Sequence, residues 1–228
     1  HFSQKFSHID RCWTSIRHSR PTLRPTPSMH KGYPSALNHW WLSFGKQYLV
    51  VTVGQYMSEN QQVKILGLSG SYGLTSKNGM LVQIGLEDAE SFGAEVCIWD
   101  LVEKPLPLVG SEGSWDDTNV KEFQALAKSC DGFIVSSPEY HGCMSGVMKN
   151  TFDWLYFDHV SGKPFALMST LGGQSNSNTL NQMRICVRWL HWWSIPEQVA
   201  VGKVKEAFDD DGNLVDDSLR ERVLKMAE

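Results

Sequence analysis

Several features that would identify a function at once are missing from this sequence of 228 residues. Its five cysteines are scattered and include no C-x-x-C pair, which argues against a structural zinc site and indicates a reduced, intracellular protein. No apolar run approaches the roughly 20 residues that a membrane span needs. A formal net charge of −4 gives no electrostatic reason to expect a nucleic-acid partner. We therefore expect neither a membrane, a nucleic-acid nor a metal-binding protein.

Two familiar nucleotide-binding patterns are also absent from the stretch that most resembles a ligand loop. An apolar run from Val63 to Leu68 predicts a buried strand and leads directly into Ser-Gly-Ser-Tyr-Gly-Leu-Thr-Ser at 69–76. The loop has no Gly-Lys-Ser/Thr ending, and its glycines do not fit G-x-G-x-x-G. A strand, a loop of small residues and a helix start still favour a phosphate site, because glycines admit an anion close to the backbone. The many hydroxyls suit a single terminal phosphate such as that of FMN, and an ordinary glycine-rich turn is the alternative.

Charge is distributed unevenly along the chain. Residues 1–56 carry seven Lys or Arg against the single acid Asp10, whereas the remainder carries fourteen basic and twenty-four acidic residues. Residues 1–61 show no sustained amphipathic period, so we expect a largely irregular N-terminal extension. Its Arg-rich, Ser-rich and acid-poor composition fits an organelle transit peptide. An expression-derived or upstream-translated segment, with the natural start at Met57, is the interpretation we favour. The expected location is the cytoplasm, or an organelle if the segment is a transit peptide.

From Gln62 onward, short apolar strands alternate with amphipathic helices. After the first strand, further strands are expected at 95–99, 132–137, 164–169 and 198–201. This alternation predicts an α/β domain over 62–228, with a doubly wound, five-stranded parallel sheet and helices on both faces. In the strand order 2-1-3-4-5, the ligand crevice lies beyond the ends of strands one and three. The two most unusual loops, 69–78 and 138–142, follow those two strands. Both are therefore expected to border this crevice.

Local signals predict where several helices begin and end. Ser76 or Asn78 is placed to start the first helix, and Gly93 to stop it. Capping-box patterns at Asn119 with Glu122, and at Ser218 with Glu221, predict two further helix starts. A helix over 179–193 completes the pattern before the fifth strand.

Three motifs carry a family resemblance: Ser69-Gly70-Ser71-x-x-x-x-Ser76-x-Asn78, Pro138-Glu139-Tyr140-x-Gly142 and Lys149-Asn150-x-x-Asp153-Trp154. Together they resemble the NADPH-dependent FMN reductase family over about residues 62–228. The resemblance implies the flavodoxin-like fold, FMN as the cofactor and NADPH or NADH as the co-substrate. That family includes quinone, chromate and azo-dye reductases, so the implied electron acceptor is a small molecule. The family commonly has Arg where this chain has Gly73.

The resemblance also implies site residues. Around the FMN phosphate it places Ser69, Ser71, Ser76 and Asn78. Along the isoalloxazine ring it places Pro138, Glu139, Tyr140, His141 and Gly142. The far side of the ring would be closed by Ser169, Gly172 and Gly173. No side chain is expected as a catalytic acid or base, because the flavin carries the redox chemistry.

Other residues near these motifs favour structural roles. Asp153 is expected as a helix-end charge and Trp154 as a core or interface aromatic, while Cys143 is expected to be a buried bystander. Aromatics in the segments 156–159 and 180–193 exceed what one small core can hide, so we expect a homodimer or tetramer. A non-catalytic electron carrier or flavin-binding redox module of the same fold is the alternative function.

Overall fold

The computed structural model describes residues 40–44, 47–51, 62–174 and 177–228. The chain divides into two units, 1–61 and 62–228. In the first, strands β1 (Trp40–Phe44) and β2 (Gln47–Val51) pair antiparallel. Neither strand was predicted from the sequence. The other expectations for 1–61 fall outside the described residues, and the origin of that segment stays a prediction.

Six strands and six helices form the second unit, within residues 62–174 and 177–228. The strands are β3 (Lys64–Ser69), β4 (Glu95–Trp99), β5 (Gly132–Tyr140), β6 (Cys143–Met144), β7 (Pro164–Thr170) and β8 (Trp193–Val201). The helices are α1 (Lys77–Ser91), α2 (Thr118–Ser129), α3 (Gly146–Asp153), α4 (Phe157–Val160), α5 (Ser177–Trp189) and α6 (Asp217–Ala227). A short 3₁₀ helix, Ser114–Asp116, precedes α2. None of the helices in this described part is both long and apolar enough to cross a membrane.

Five strands form a parallel sheet in the order β4-β3-β5-β7-β8, and β6 adds to β5 in the antiparallel sense. Numbered among these five parallel strands alone, this is the predicted order 2-1-3-4-5, whereas β6 was not predicted. The register places Ser69 opposite Ser136, and Pro138 opposite Thr170. The C-terminal ends of β3, β5 and β7 therefore lie side by side at one edge of the sheet. The predicted flavodoxin-like, doubly wound fold is confirmed.

Each face of the sheet has its own apolar core. Helices α1 and α6 cover one face, where Leu81 and Val223 are fully buried. Helices α2, α3 and α5 cover the other, where Phe123 and Met183 are fully buried. Full burial of side chains of this size stabilises the fold by roughly 1.5–3 kcal/mol each. Trp154 belongs to the second core and is 0% exposed, so its predicted structural role is confirmed.

Helix α1 begins and ends as expected. Ser76 is its N-cap, and its hydroxyl accepts a hydrogen bond from the Gly79 N–H at 3.0 Å. Gly93 follows the helix with φ at 96°, a left-handed conformation that glycine adopts without steric cost. The start of α1 is therefore fixed immediately after the hydroxyl-rich loop.

Two predicted capping boxes are wrong. Helix α2 is capped by Asp117, which accepts from the Val120 N–H, and not by Asn119. Helix α6 is capped by Asp216, and not by Ser218. In both cases a carboxylate lies two residues earlier in the chain. An anion is favoured at the positive end of a helix, so the acid takes the cap from the neutral side chain.

Two predicted element boundaries also move. Strand β5 continues past Pro138 to Tyr140. On the side of β3 the pairing has already ended at Ser136, so no strand there needs the N–H that proline lacks, while the pairing with β7 continues to Pro138. Helix α5 ends at 189, four residues before the predicted end, and β8 begins at 193 rather than 198. His191, with φ at 61°, reverses the chain between them.

Candidate functional site

The loop from 70 to 76, between β3 and α1, leaves a row of backbone donors available. Its start is anchored to β5, because the Gly70 N–H donates to the Ser136 carbonyl at 2.7 Å. Within the described residues no acceptor is found for the N–H groups of Tyr72, Gly73, Leu74, Thr75, Lys77 and Asn78. Such donors, ahead of a helix N-terminus, are suited to binding an anion.

Hydroxyl groups and one amide complete the inner wall of this loop. The Asn78 side chain is 4% exposed; its amide N–H₂ donates to the Thr170 hydroxyl at 2.9 Å, and its oxygen accepts from the Ser136 hydroxyl at 2.8 Å. It also donates to the Ser71 hydroxyl at 3.3 Å. Asn78 therefore joins the loop to β5 and β7. The Ser71 and Ser76 hydroxyls act as acceptors in these contacts and keep their own protons for donation.

A close approach of two backbone segments determines the shape of the loop. Gly79 is the third residue of α1, and a Cβ atom there would lie 2.4 Å from the Leu74 carbonyl oxygen. Only glycine allows the loop to lie this near the first turn of the helix. The same loop turns at Gly73, whose φ is 80°.

The nearest lysine does not contact the loop. Lys77 is the first residue of α1, but its ammonium lies 4.9 Å from the centroid of the Phe208 ring and 3.7 Å from the Met80 sulfur. In this conformation its charge interacts with those two side chains. The hydrogen-bond donors that this loop offers to an anion are therefore backbone N–H and hydroxyl groups.

The second loop is a tight hairpin between β5 and β6. Tyr140 pairs with Cys143, so His141 and Gly142 alone form the turn. Their φ angles are 54° and 75°, and two consecutive positive values are typical of a type I′ turn. Tyr140 is 60% exposed and His141 is also exposed. Cys143 is exposed too, so the prediction of a buried bystander is wrong. Cys143 is the first residue of β6, which pairs back on β5, so its side chain lies at the tip of the hairpin.

Helix α5 fastens this hairpin at two points. The Glu139 carboxylate is 8% exposed and accepts from the Thr179 N–H at 2.9 Å, in the first turn of α5. One turn further on, the Gln182 oxygen accepts from the Met144 N–H at 3.0 Å. The Gln182 amide donates to the Cys143 sulfur at 3.2 Å. Sequence reasoning missed Gln182, because nothing local distinguishes it from an exposed helical glutamine.

The hairpin and the first loop are joined through Ser145. Its hydroxyl donates to the Gly70 carbonyl at 2.6 Å, and its N–H donates to the Ser137 hydroxyl at 3.1 Å. A Cβ at Gly70 would lie 3.0 Å from both serine hydroxyls, so the contact is tight. Ser145 also caps α3, and its place before that helix was the one available signal.

The third loop follows β7. Ser169 is fully buried and lies opposite Ser137 in the register. Gly172 and Gly173 are exposed, and residues 175 and 176 lie outside the described residues. The segment after β8 supports this loop: the Lys203 N–H donates to the Gly173 carbonyl, and a Cβ at Gly202 would lie 2.6 Å from the Gln174 oxygen. All three loops that carry the predicted site residues thus lie at one edge of the sheet.

Comparison with known proteins decides between the families that share this fold. A model of the NADPH-dependent FMN reductase family matches residues 63–206. The chain belongs to that family. The predictions of the family, of an oxidoreductase, and of FMN and NADPH as its cofactors are confirmed.

Individual relatives agree with this assignment. The chain is 35% identical over 170 residues to the NADPH-dependent FMN reductase ArsH of Rhizobium meliloti, covering 72% of this chain and 69% of that protein. It is 32% identical over 157 residues to the FMN-dependent NADPH-azoreductase of Staphylococcus haemolyticus, covering 67% and 84%. Among solved structures, the flavoenzyme NAD(P)H:(acceptor) oxidoreductase FerB of Paracoccus denitrificans superposes with a TM-score of 0.57 at 21% identity, covering 72% and 95%. The last similarity is evidence of the fold.

Proposed function

We propose that this protein passes hydride from NAD(P)H, through bound FMN, to a small oxidant such as a quinone, an azo compound, a metal oxyanion or free flavin. The observation that carries the proposal is the row of available N–H groups in the 70–76 loop, joined through Ser145 to the 138–144 hairpin. The membership of the reductase family supports turnover over the alternative of a non-catalytic electron carrier.

In this proposal the phosphate is held by the first loop. The hydroxyls of Ser71 and Ser76 donate to it, together with the backbone N–H groups of 72–75 and the first turn of α1. Hydrogen bonds to a charged acceptor are worth roughly 1.5–3 kcal/mol each. We assign Ser69 and Asn78 to positioning, because their side chains are already bonded to the loop and, for Asn78, to β5 and β7.

The ring of the flavin is assigned to the other two loops. Pro138 and Glu139 fix the hairpin, and Tyr140, His141 and Gly142 present its exposed tip to the ring and to the acceptor. Ser169 with Gly172 and Gly173 forms the opposite wall. Bound FMN supplies the redox chemistry, and these residues bind and orient it and exclude water.

We further propose that the protein is a homodimer. On α5 and at the start of β8, Ile185, Trp189 and Trp193 are 61%, 67% and 70% exposed. The Phe157 ring stacks on the His191 ring at 4.6 Å, so the segments 156–159 and 185–193 form one surface. Exposed apolar side chains in such numbers usually mark an interface. A monomeric mass by light scattering at micromolar concentration would contradict this. A cytoplasmic location stays a prediction.

The phosphate site is tested with the double variant Ser71→Ala, Ser76→Ala. Purified wild type should show a flavin spectrum and oxidise NADPH in the presence of a quinone, and the double variant should lose FMN. Because Ser76 also caps α1, its loss destabilises a helix by about 0.5–2 kcal/mol. Asp216→Ala removes the cap of α6 instead and is the matched control. Full flavin retention in the double variant would place the phosphate elsewhere, and colourless wild-type protein would contradict the proposed function.

A further inference from the structure

Two cysteines that are distant in the sequence meet beside the edge strand of the sheet. Cys97 lies in β4, and Cys130 is the C-cap of α2, just before β5. Their sulfur atoms are 3.7 Å apart, although 33 positions separate them in the chain. Cys130 is 1% exposed, whereas Cys97 is partly exposed. Among the described cysteines, Cys143 and Cys186 have no such sulfur neighbour.

The surroundings of the pair favour a thiolate. Lys64 lies in the adjoining strand opposite Glu95, and its ammonium forms a salt bridge with the Glu95 carboxylate at 2.7 Å. The Lys163 ammonium donates to the Ala127 and Lys128 carbonyls at 2.9 Å, close to Cys130. The pKa of the Cys130 thiol is lowered to about 7, because the Cys97 S–H donates to its thiolate and both lysines lie near. The pKa of Cys97 is raised for the same reason, since its proton is the one shared. The Cys130 thiol is therefore partly ionised near neutral pH.

We propose that Cys97 and Cys130 are a redox-active pair, which a hydroperoxide oxidises to an intramolecular disulfide. Cys130 precedes β5, whereas the hairpin at 138–144 lies at the other end of that strand. The proposal does not depend on the proposed reductase function.

The chemistry balances with the peroxide as the only co-reactant. The thiolate attacks one peroxide oxygen and breaks the O–O bond, which gives a sulfenic acid and, from hydrogen peroxide, hydroxide. The neighbouring thiol then attacks the sulfenic sulfur, forms the S–S bond and releases water. Two thiols are oxidised by two electrons in total, and one peroxide is reduced to two waters.

The geometry requires only a small adjustment. A disulfide has an S–S distance of about 2.05 Å, so the sulfurs must approach by roughly 1.7 Å from their 3.7 Å separation. Cys130 is at the end of a helix, where the backbone is least restrained by hydrogen bonds. By contrast, burial raises the pKa of the Cys186 thiol, which makes it a poorer nucleophile.

The test uses a Cys143→Ser background, because trypsin leaves Cys130 and Cys143 together in the peptide 129–149. After treatment with one equivalent of hydrogen peroxide, digestion without reductant should yield peptide 129–149 linked to 78–121, the peptide with Cys97. The linked mass should equal the sum of the two less two hydrogens, and dithiothreitol should reverse it. Adding Cys130→Ala should abolish the link, and adding Cys186→Ala should leave it intact.

Three outcomes would overturn the proposal. The first is recovery of both cysteines as free thiols in protein that has consumed the peroxide. The second is their conversion to sulfinic acids without any link. The third is a link that joins either of them mainly to Cys12 or Cys186. All three are read from the background protein itself, so they do not depend on whether the Cys130→Ala variant folds.

Discussion

Gly79 offers a way to move the loop between β3 and α1 without altering any proposed ligand. In Gly79→Ala the new Cβ would lie 2.4 Å from the Leu74 carbonyl oxygen. That atom belongs to the backbone, so the loop or the first turn of α1 must shift by about 0.6 Å to reach a 3.0 Å contact. The displaced segment holds the N–H groups that we assign to the FMN phosphate.

The size of the effect follows from the hydrogen bonds at stake. Losing one good donor to a charged acceptor costs roughly 1.5–3 kcal/mol, which corresponds to at least a tenfold weaker FMN affinity. Stability should change less, because alanine is favoured over glycine inside a helix by about 1 kcal/mol and offsets part of a steric cost of about 1–3 kcal/mol. The variant should therefore fold and bind FMN poorly.

The assay is a flavin fluorescence titration of apoprotein, with thermal unfolding measured alongside. Gly146→Ala is the matched control: it lies at the first position of α3, and a Cβ there has nothing within 4 Å. It should leave FMN affinity unchanged and stability equal or slightly higher, by about 0.4–1 kcal/mol. Wild-type affinity in Gly79→Ala would refute the phosphate assignment, and equal loss in both variants would show that the effect is not local.

Three further changes test the supports of the fold and the site. Gln182→Leu removes the contacts that hold the hairpin and should weaken FMN about tenfold in the same titration, whereas the exposed neighbour Asn181→Leu should not. Burial lowers the pKa of His159, so the folded protein takes up its proton less readily than the unfolded chain, and the free energy of unfolding should fall as the pH drops below about 6.5. Urea unfolding of His159→Gln should show a smaller fall, and an unchanged fall would contradict this. Arg220→Leu leaves Asp88, 4% exposed, without its bidentate partner and should lower the free energy of unfolding by about 1–3 kcal/mol, with no loss meaning that the pair is not stabilising.

The sheet could be predicted because its signals are local. A run of apolar residues of strand length fixes β4 at Glu95–Trp99, the same bounds as predicted. Gly93 needs only its own left-handed φ to end α1. The position of the crevice then follows from strand order, since parallel strands end at a common edge. Signals of this kind depend on neighbours within a few residues.

The supports of the site could not be predicted in this way, because they join distant segments. Gln182 contacts a hairpin about 40 positions earlier, and Asn78 bonds to a strand 92 positions later. The meeting of Cys97 and Cys130 likewise depends on how α2 packs beside β4. The capping errors differ, because Asp117 and Asp216 are themselves local signals: each lies two residues before the predicted cap, and a carboxylate is favoured at the positive end of a helix.

At Gly73 the local backbone conformation bears directly on how FMN would be bound. The family resemblance implies an Arg there, but at φ of 80° an Arg would carry backbone strain of about 1–3 kcal/mol, comparable to the roughly 1.4 kcal/mol of a tenfold gain in affinity. Lys77 does not compensate in this structure, because its ammonium lies over Phe208. If the phosphate binds in this loop, its negative charge is therefore stabilised by hydrogen bonds from neutral donors and by the dipole of α1. Neutral donors act only at close range and in correct alignment. The affinity for FMN should then depend on the shape of the loop, which Gly70 and Gly79 determine through close backbone approach.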